Sequence, residues 1–270
     1  MRKPEILCRL LLPAVALLCL LCSCTARPAK PRPFGVYVLD AVRSMPTGGG
    51  YASDRVAELR LAQRGITRSS RGLRVAPRAA APTFCSAACY MVLLQALQAS
   101  DAAAAFTPAA WNSLRVETEH PDGYLSWGRV NANGPGLAKW VQDLQAGFSF
   151  SSVSHARPGD FLKFFHTEEI GAGERGHMVV YLGTARIRGE LCIHYWSSNA
   201  PGGYGTRYVP LRRIHHPIFT RITHPERLSK AAHLPLYDPW LASMQVSSYS
   251  YADVVQHCKI ATPPEPAHAE

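Results

Sequence analysis

The densest apolar stretch in the body of the chain is residues 82–97, where only Thr83, Ser86 and Gln95 carry clearly polar side chains. On a 3.6-residue period these apolar positions cover nearly the whole circumference, which predicts a helix buried on all sides. Residues 53–62 predict a capped, amphipathic helix, and 107–115 predict another, with Thr107 as N-cap and Pro108 in the first turn. A fourth helix is expected over 137–146, ended by Gly147. Before these, residues 34–39 read as a short strand and 47–51 as a glycine-rich turn. Past residue 147 the period changes. Residues 160–166, 177–182 and 191–197 are short runs rich in aromatic and β-branched residues, divided by glycine turns, and predict strands. Beyond Pro210 the pattern mixes short strand, loop and helix. Helices first and an antiparallel sheet second is an α+β layout.

The N-terminus changes the charge and cysteine counts. Arg2 and Lys3 precede an almost unbroken Leu, Ala, Val and Cys run over residues 10–21, the pattern of a secretory signal peptide over residues 1–23. Leu21-Cys22-Ser23-Cys24 resembles the lipobox of bacterial lipoproteins, which implies a lipid on Cys24 and a membrane anchor; a plain signal peptide cut near Ala26 is the alternative. Residues 24–34 then form a basic, proline-rich tether, residues 35–260 a single domain with a C-terminal elaboration, and 261–270 a disordered tail. The whole chain of 270 residues has a formal net charge of +10. Removal of the signal takes away Arg2, Lys3, Arg9 and Glu5 and leaves +8. Cys8, Cys19 and Cys22 depart with it, so only Cys85, Cys89, Cys192 and Cys258 belong to the body. In an exported protein a Cys192–Cys258 disulfide is open. Composition and period exclude a disordered chain, a collagen, a coiled coil and a multi-pass membrane protein.

Candidate chemistry concentrates at two positions. Cys85 stands where a loop enters the buried helix, so unbonded backbone N–H groups and the positive end of the helix dipole face its sulfur. That environment lowers a thiol pKa and offers donors to an oxyanion. His177 opens a strand that otherwise reads as core. A cysteine at a helix start and a histidine at a strand start together point to a pair in which imidazole takes the thiol proton.

Cys85-Ser86 heading an apolar helix, residues 157–165 with their Pro-Gly-Asp turn, His177-Met-Val-Val-Tyr-Leu-Gly183 and Ile193-His-Tyr195 together resemble the NlpC-type, papain-like cysteine peptidases. The resemblance spans about residues 84–199, with Cys before His. It implies a papain-like fold with a central Cys-bearing helix packed on an antiparallel sheet. It also implies Cys85 as nucleophile, His177 as base and later acid, an oxyanion held by the backbone of Cys85 and Ser86, and a peptidoglycan stem peptide as substrate. The orienting third residue is His194, at the family's Ile-His position, or Asn199, which would act as asparagine does in papain. Strand alternation sets these two on opposite faces, so at most one can face His177 unless a bulge intervenes. The family's tyrosine just before the cysteine is missing; Tyr51, after the three glycines, is a candidate replacement from a distant loop.

Cys89 lies one turn into the helix, where N–H groups are already bonded, and reads as core. The scattered histidines lack a zinc-binding spacing, so neither a metal nor another cofactor is expected. The dispersed basic surplus and the export signal argue against nucleic acid and for a membrane surface and an anionic envelope polymer as partners. The reading that results is a cell-envelope thiol hydrolase facing the periplasm or envelope. A thiol acyltransferase or transpeptidase on the same scaffold, and a non-catalytic binding lipoprotein, are the alternatives.

Overall fold

The structure is a computed structural model, and it describes residues 32–70 and 72–261. The signal segment, Cys24, the tether as far as Pro31, and residues 262–270 lie outside the described residues. The chain opens with helix α1 (Phe34–Ser44), where a strand was expected. Phe34, Val38, Ala41 and Met45 are buried at a stride of four and three, so the alternation seen over six residues is overridden by a longer helical period. Phe34 is therefore core and not tether, and Arg32 pairs with Asp40 at 2.9 Å. Strand β1 (Gly48–Gly49) is followed by α2 (Arg55–Arg60), whose cap is Asp54: its carboxylate accepts from Ala57 N–H at 2.8 Å. The basic stretch behind it folds as a hairpin, β2 (Ile66–Ser69) and β3 (Gly72–Val75), and a single turn, α3 (Pro77–Ala80), leads to α4 (Cys85–Ala99).

Helix α4 is the apolar helix of the sequence, with twelve of its fifteen residues buried. It is followed by α5 (Pro108–Ser113), capped by Thr107 as expected, then α6 (Leu125–Asn131), which the hydrophobic pattern did not reveal, and α7 (Gly136–Asp143). The strands are β4 (Gly147–Phe150), β5 (Phe161–Phe165), β6 (Ile170–Gly171), β7 (His177–Ile187), β8 (Glu190–Asn199), β9 (Gly203–Pro210) and β10 (His216–Ile222). Helix α8 (Pro239–Ser243), strand β11 (Ser248–Tyr249) and helix α9 (Tyr251–Cys258) complete the chain. Ala261, assigned to the tail from sequence, exchanges backbone hydrogen bonds with Ser149 and Ser151.

Seven strands form one antiparallel sheet in the order β1-β9-β8-β7-β5-β10-β4. Period-two alternation divides its faces. Phe161, Met178, Val180 and Trp196 join the core around α4, whereas Leu162, Phe164, Val179, Ile193 and Phe219 form a second core on the other face. The fold is thus mixed α+β, with helices and an extended antiparallel sheet. Among the described residues no helix is long and apolar enough to cross a membrane.

The Pro-Gly-Asp turn ties the sheet to α1. Gly159 sits at φ +94°, and a Cβ there would stand 2.3 Å from the Gly35 carbonyl oxygen, so the backbones meet only because residue 159 has no side chain. Asp160, next in line and buried, accepts from Arg157 N–H at 2.7 Å and from Arg221 Nε and Nη2 at 2.8 and 2.7 Å. Asp160→Ala strands the Arg221 guanidinium, and a loss of about 3 kcal/mol is expected from a broken buried pair. A urea titration checks this as a lower midpoint at unchanged slope.

Candidate active site

Cys85 is the first residue of α4, and the extended backbone of Phe84 delivers it. The helix's own hydrogen bonding starts with Ala88 N–H to Phe84 C=O at 2.9 Å, so the N–H groups of Cys85, Ser86 and Ala87 have no acceptor within the helix. The entering loop is fixed from the sheet, where Ser198 Oγ donates to the Thr83 carbonyl at 2.8 Å. Cys85 is buried, retaining 8 % of its accessible surface.

His177, at the start of β7, is the group that most strongly favours the Cys85 thiolate, through hydrogen bonding and charge. Its Nε2 faces Asn199 Oδ1 at 3.3 Å. The Asn199 amide cannot turn freely, because its Nδ2 donates to the Ser197 and Gly205 carbonyls at 3.1 and 3.0 Å. That fixes Oδ1 toward the ring, places the imidazole proton on Nε2 and leaves Nδ1 to receive the thiol proton. Phe164 and Tyr195 meet the ring edge-on at 5.5 and 5.6 Å between centroids, which holds its plane.

Burial would raise the Cys85 thiol. The hydrogen bond and charge of His177, the charge of Lys163 and a hydrogen bond from the Met178 backbone outweigh it and bring the pKa down to about 6. Cys89, a turn deeper, is wholly buried and its thiol donates to the Met178 carbonyl at 3.4 Å. Burial pushes its pKa well above the usual thiol value, so the two cysteines, four residues apart, have opposite chemistry.

Register decides the third residue. Val180 pairs with Trp196, and beyond that pair the strands run on to His177 and Asn199, whose side chains meet. His194 is not behind the imidazole. A bulge between Tyr181 and Gly183 places it opposite Gly183, on the far side of the irregularity, where it stacks on Tyr208 at 4.5 Å. Burial lowers its pKa. The disulfide left open from sequence is absent: Cys192 and Cys258 are both free and buried, the first in β8 and the second in the core under α9. Among the described residues, no group of three or more His, Cys, Asp or Glu is placed to hold a metal ion.

Other residues gather at the same place. The Tyr51 hydroxyl reaches both Cys85 and Ser53, and the isolated bridge of Tyr51 with Thr83 secures its backbone beside the entry to α4. Ser86 Oγ donates to Asn131 Oδ1 at 2.7 Å, and Asn131 Nδ2 to Asp122 Oδ1 at 3.1 Å. Asp122 and Asn131 line a polar groove of about 360 Å³ with Glu58, Glu117, Trp127 and Gln245, and Ser86 reaches its wall through Asn131. Trp196 and Tyr204 stack on each other in the core. The Ser86–Asn131–Asp122 network escaped the sequence because its members are 45 and 9 residues apart.

If Asn199 orients the imidazole, Asn199→Ala slows alkylation of Cys85 by iodoacetamide at pH 5 about tenfold, equivalent to one pKa unit. His194→Ala leaves the rate unchanged. Timed labelling followed by peptide mass analysis compares the two directly. Comparison with family models, with curated proteins and with solved structures finds no match for this chain.

Proposed function

We propose that this chain is an envelope thiol hydrolase of the NlpC-like, papain-like type, cleaving a peptide or amide bond in peptidoglycan stem peptides from a lipid anchor on Cys24. The observation that carries the reading is the alignment of the Cys85 sulfur, the His177 ring and the anchored Asn199 amide at the N-terminus of a buried helix. A cysteine that is merely core needs neither an oriented imidazole nor a depressed pKa; Cys89 shows what such a cysteine looks like in the same helix.

In this mechanism the Cys85 thiolate attacks the carbonyl carbon, and the N–H groups of Cys85 and Ser86 take up the charge on the oxygen. The Tyr51 hydroxyl stands close enough to assist. His177, protonated by the thiol, passes that proton from Nδ1 to the leaving amine, and Asn199 keeps the ring aligned throughout. The now neutral ring deprotonates a water, which attacks the thioester carbon. The C–S bond breaks and the sulfur leaves with its electron pair. The net charge of +8 in the proposed mature chain suits an anionic envelope polymer.

The reading is tested by digesting purified peptidoglycan with a protein beginning at residue 25. New muropeptide ends are expected with the wild-type sequence, none with Cys85→Ala, and about 10² times fewer per unit time with Asn199→Ala, the order of a general-base contribution. Unchanged muropeptides together with Cys85-dependent joining of an added amine would overturn hydrolysis in favour of acyl transfer.

A further inference from the structure

A lysine interrupts the most apolar strand of the sheet, and the mechanism above does not use it. In β5 the sequence reads Phe161-Leu-Lys163-Phe-Phe165, and four of the five residues are buried hydrophobics. Lys163 pairs across the strands with Met178, the residue after His177. Paired residues share a face, and Met178 belongs to the core around α4, so Lys163 points toward α4 and not into the second core. Its stem runs among apolar neighbours, including Val130, Leu137 and Met178, around a cavity of only about 10 Å³. It also passes close over the turn before His177, since a Cβ on Gly176 would stand 2.9 Å from Lys163 Cε.

The charged or titratable groups that face the ammonium are Cys85 and Cys89 from α4, Asp122 from the loop before α6, and Glu174 from the turn before β7. Both carboxylates are engaged elsewhere. Asp122 is held by Asn131 and Gln245, while Glu174 accepts from His166 N–H, Thr167 N–H and Thr167 Oγ1. Burial lowers the Lys163 pKa from its ordinary value, and the charges of Cys85 as thiolate, Asp122 and Glu174 oppose that. Around Cys85 itself stand His177, Lys163, Cys89, Tyr51 and Tyr195. Lys163 is the cation of that set that does not have to exchange its proton during turnover.

We propose that Lys163 is a positioning residue of the Cys85 site, a fixed cation supplied by β5 that stabilises the sulfur anion when it attacks and again when it leaves the thioester. This deepens the thiol-hydrolase reading and rests on it. His177 alone supplies positive charge only while it holds the thiol proton. Once that proton has gone to the leaving amine, Lys163 still favours departure of sulfur as thiolate when the C–S bond breaks.

The test is the pH profile of Cys85 alkylation by iodoacetamide in the wild type, Lys163→Met, Lys163→Gln and Lys163→Arg, each checked for folding by thermal melt. The wild-type midpoint is expected near pH 6. Removing the charge raises the midpoint by about one unit, so labelling at pH 5 slows roughly tenfold, and Lys163→Arg restores most of the rate. An unmoved midpoint in the folded Met or Gln variant overturns the Lys163 proposal and leaves the Cys85–His177 reading standing; a raised KM with an unmoved midpoint does the same, and assigns Lys163 to substrate binding. A wild-type midpoint near the ordinary thiol value of about 8.5 overturns both.

Discussion

Helix α4 is packed on all sides, and this single constraint sets the position of everything chemical. A helix with twelve buried residues of fifteen needs partners on every side, and here it packs on β7 and β8 with α1 covering another side. Its first turn must then emerge where the strands beneath it begin and end. That brings Cys85 to the start of β7 and the end of β8, the places held by His177 and Asn199. Unbonded N–H groups at a helix start are costly in an apolar setting unless they find partners. In the proposed thiolate the Cys85 sulfur stands at this helix start, so the requirement of the backbone and that of the anion would be met by one arrangement.

Much of this was readable from the order of residue types. Helix α4 was legible because its pattern has no polar face, and α5 because Thr107 and Pro108 mark its start. The three central strands β5, β7 and β8 were legible through aromatic and β-branched runs. Helix α1 was misread because Phe34, Val36 and Val38 alternate over a short window, and only Ala41 and Met45 reveal the longer stride. Strand β10 was obscured by His216 and Pro217 at its start, although it lies between β4 and β5 in the sheet.

The proposed catalytic pair was legible for a reason that did not extend to its third member. Cys85 and His177 each sit at an element boundary, which local sequence marks. Choosing between His194 and Asn199 depends on register, and register here is set by one extra residue: Leu182 bulges between Tyr181 and Gly183. Alternation predicted that only one of the two could face the imidazole, and the pairing of Val180 with Trp196 settles that it is Asn199. Lys163 left a signal that sequence reading passed over, a charge between Leu162 and Phe164 in a strand with no polar face. Tyr51, named only as a distant replacement, reaches the sulfur through the bridge to Thr83.

The central claim is that Cys85 exists as a thiolate beside His177 at neutral pH. Ultraviolet thiolate absorbance, recorded against pH as the difference between the wild type and Cys85→Ser, measures this without any substrate. A depressed acid is ionised above its folded pKa, so the anion should be present at pH 7 and fade as the pH falls through about 6. In His177→Ala that transition should move up. A wild-type signal that appears only as the pH rises through about 8.5, indifferent to His177, would contradict the account.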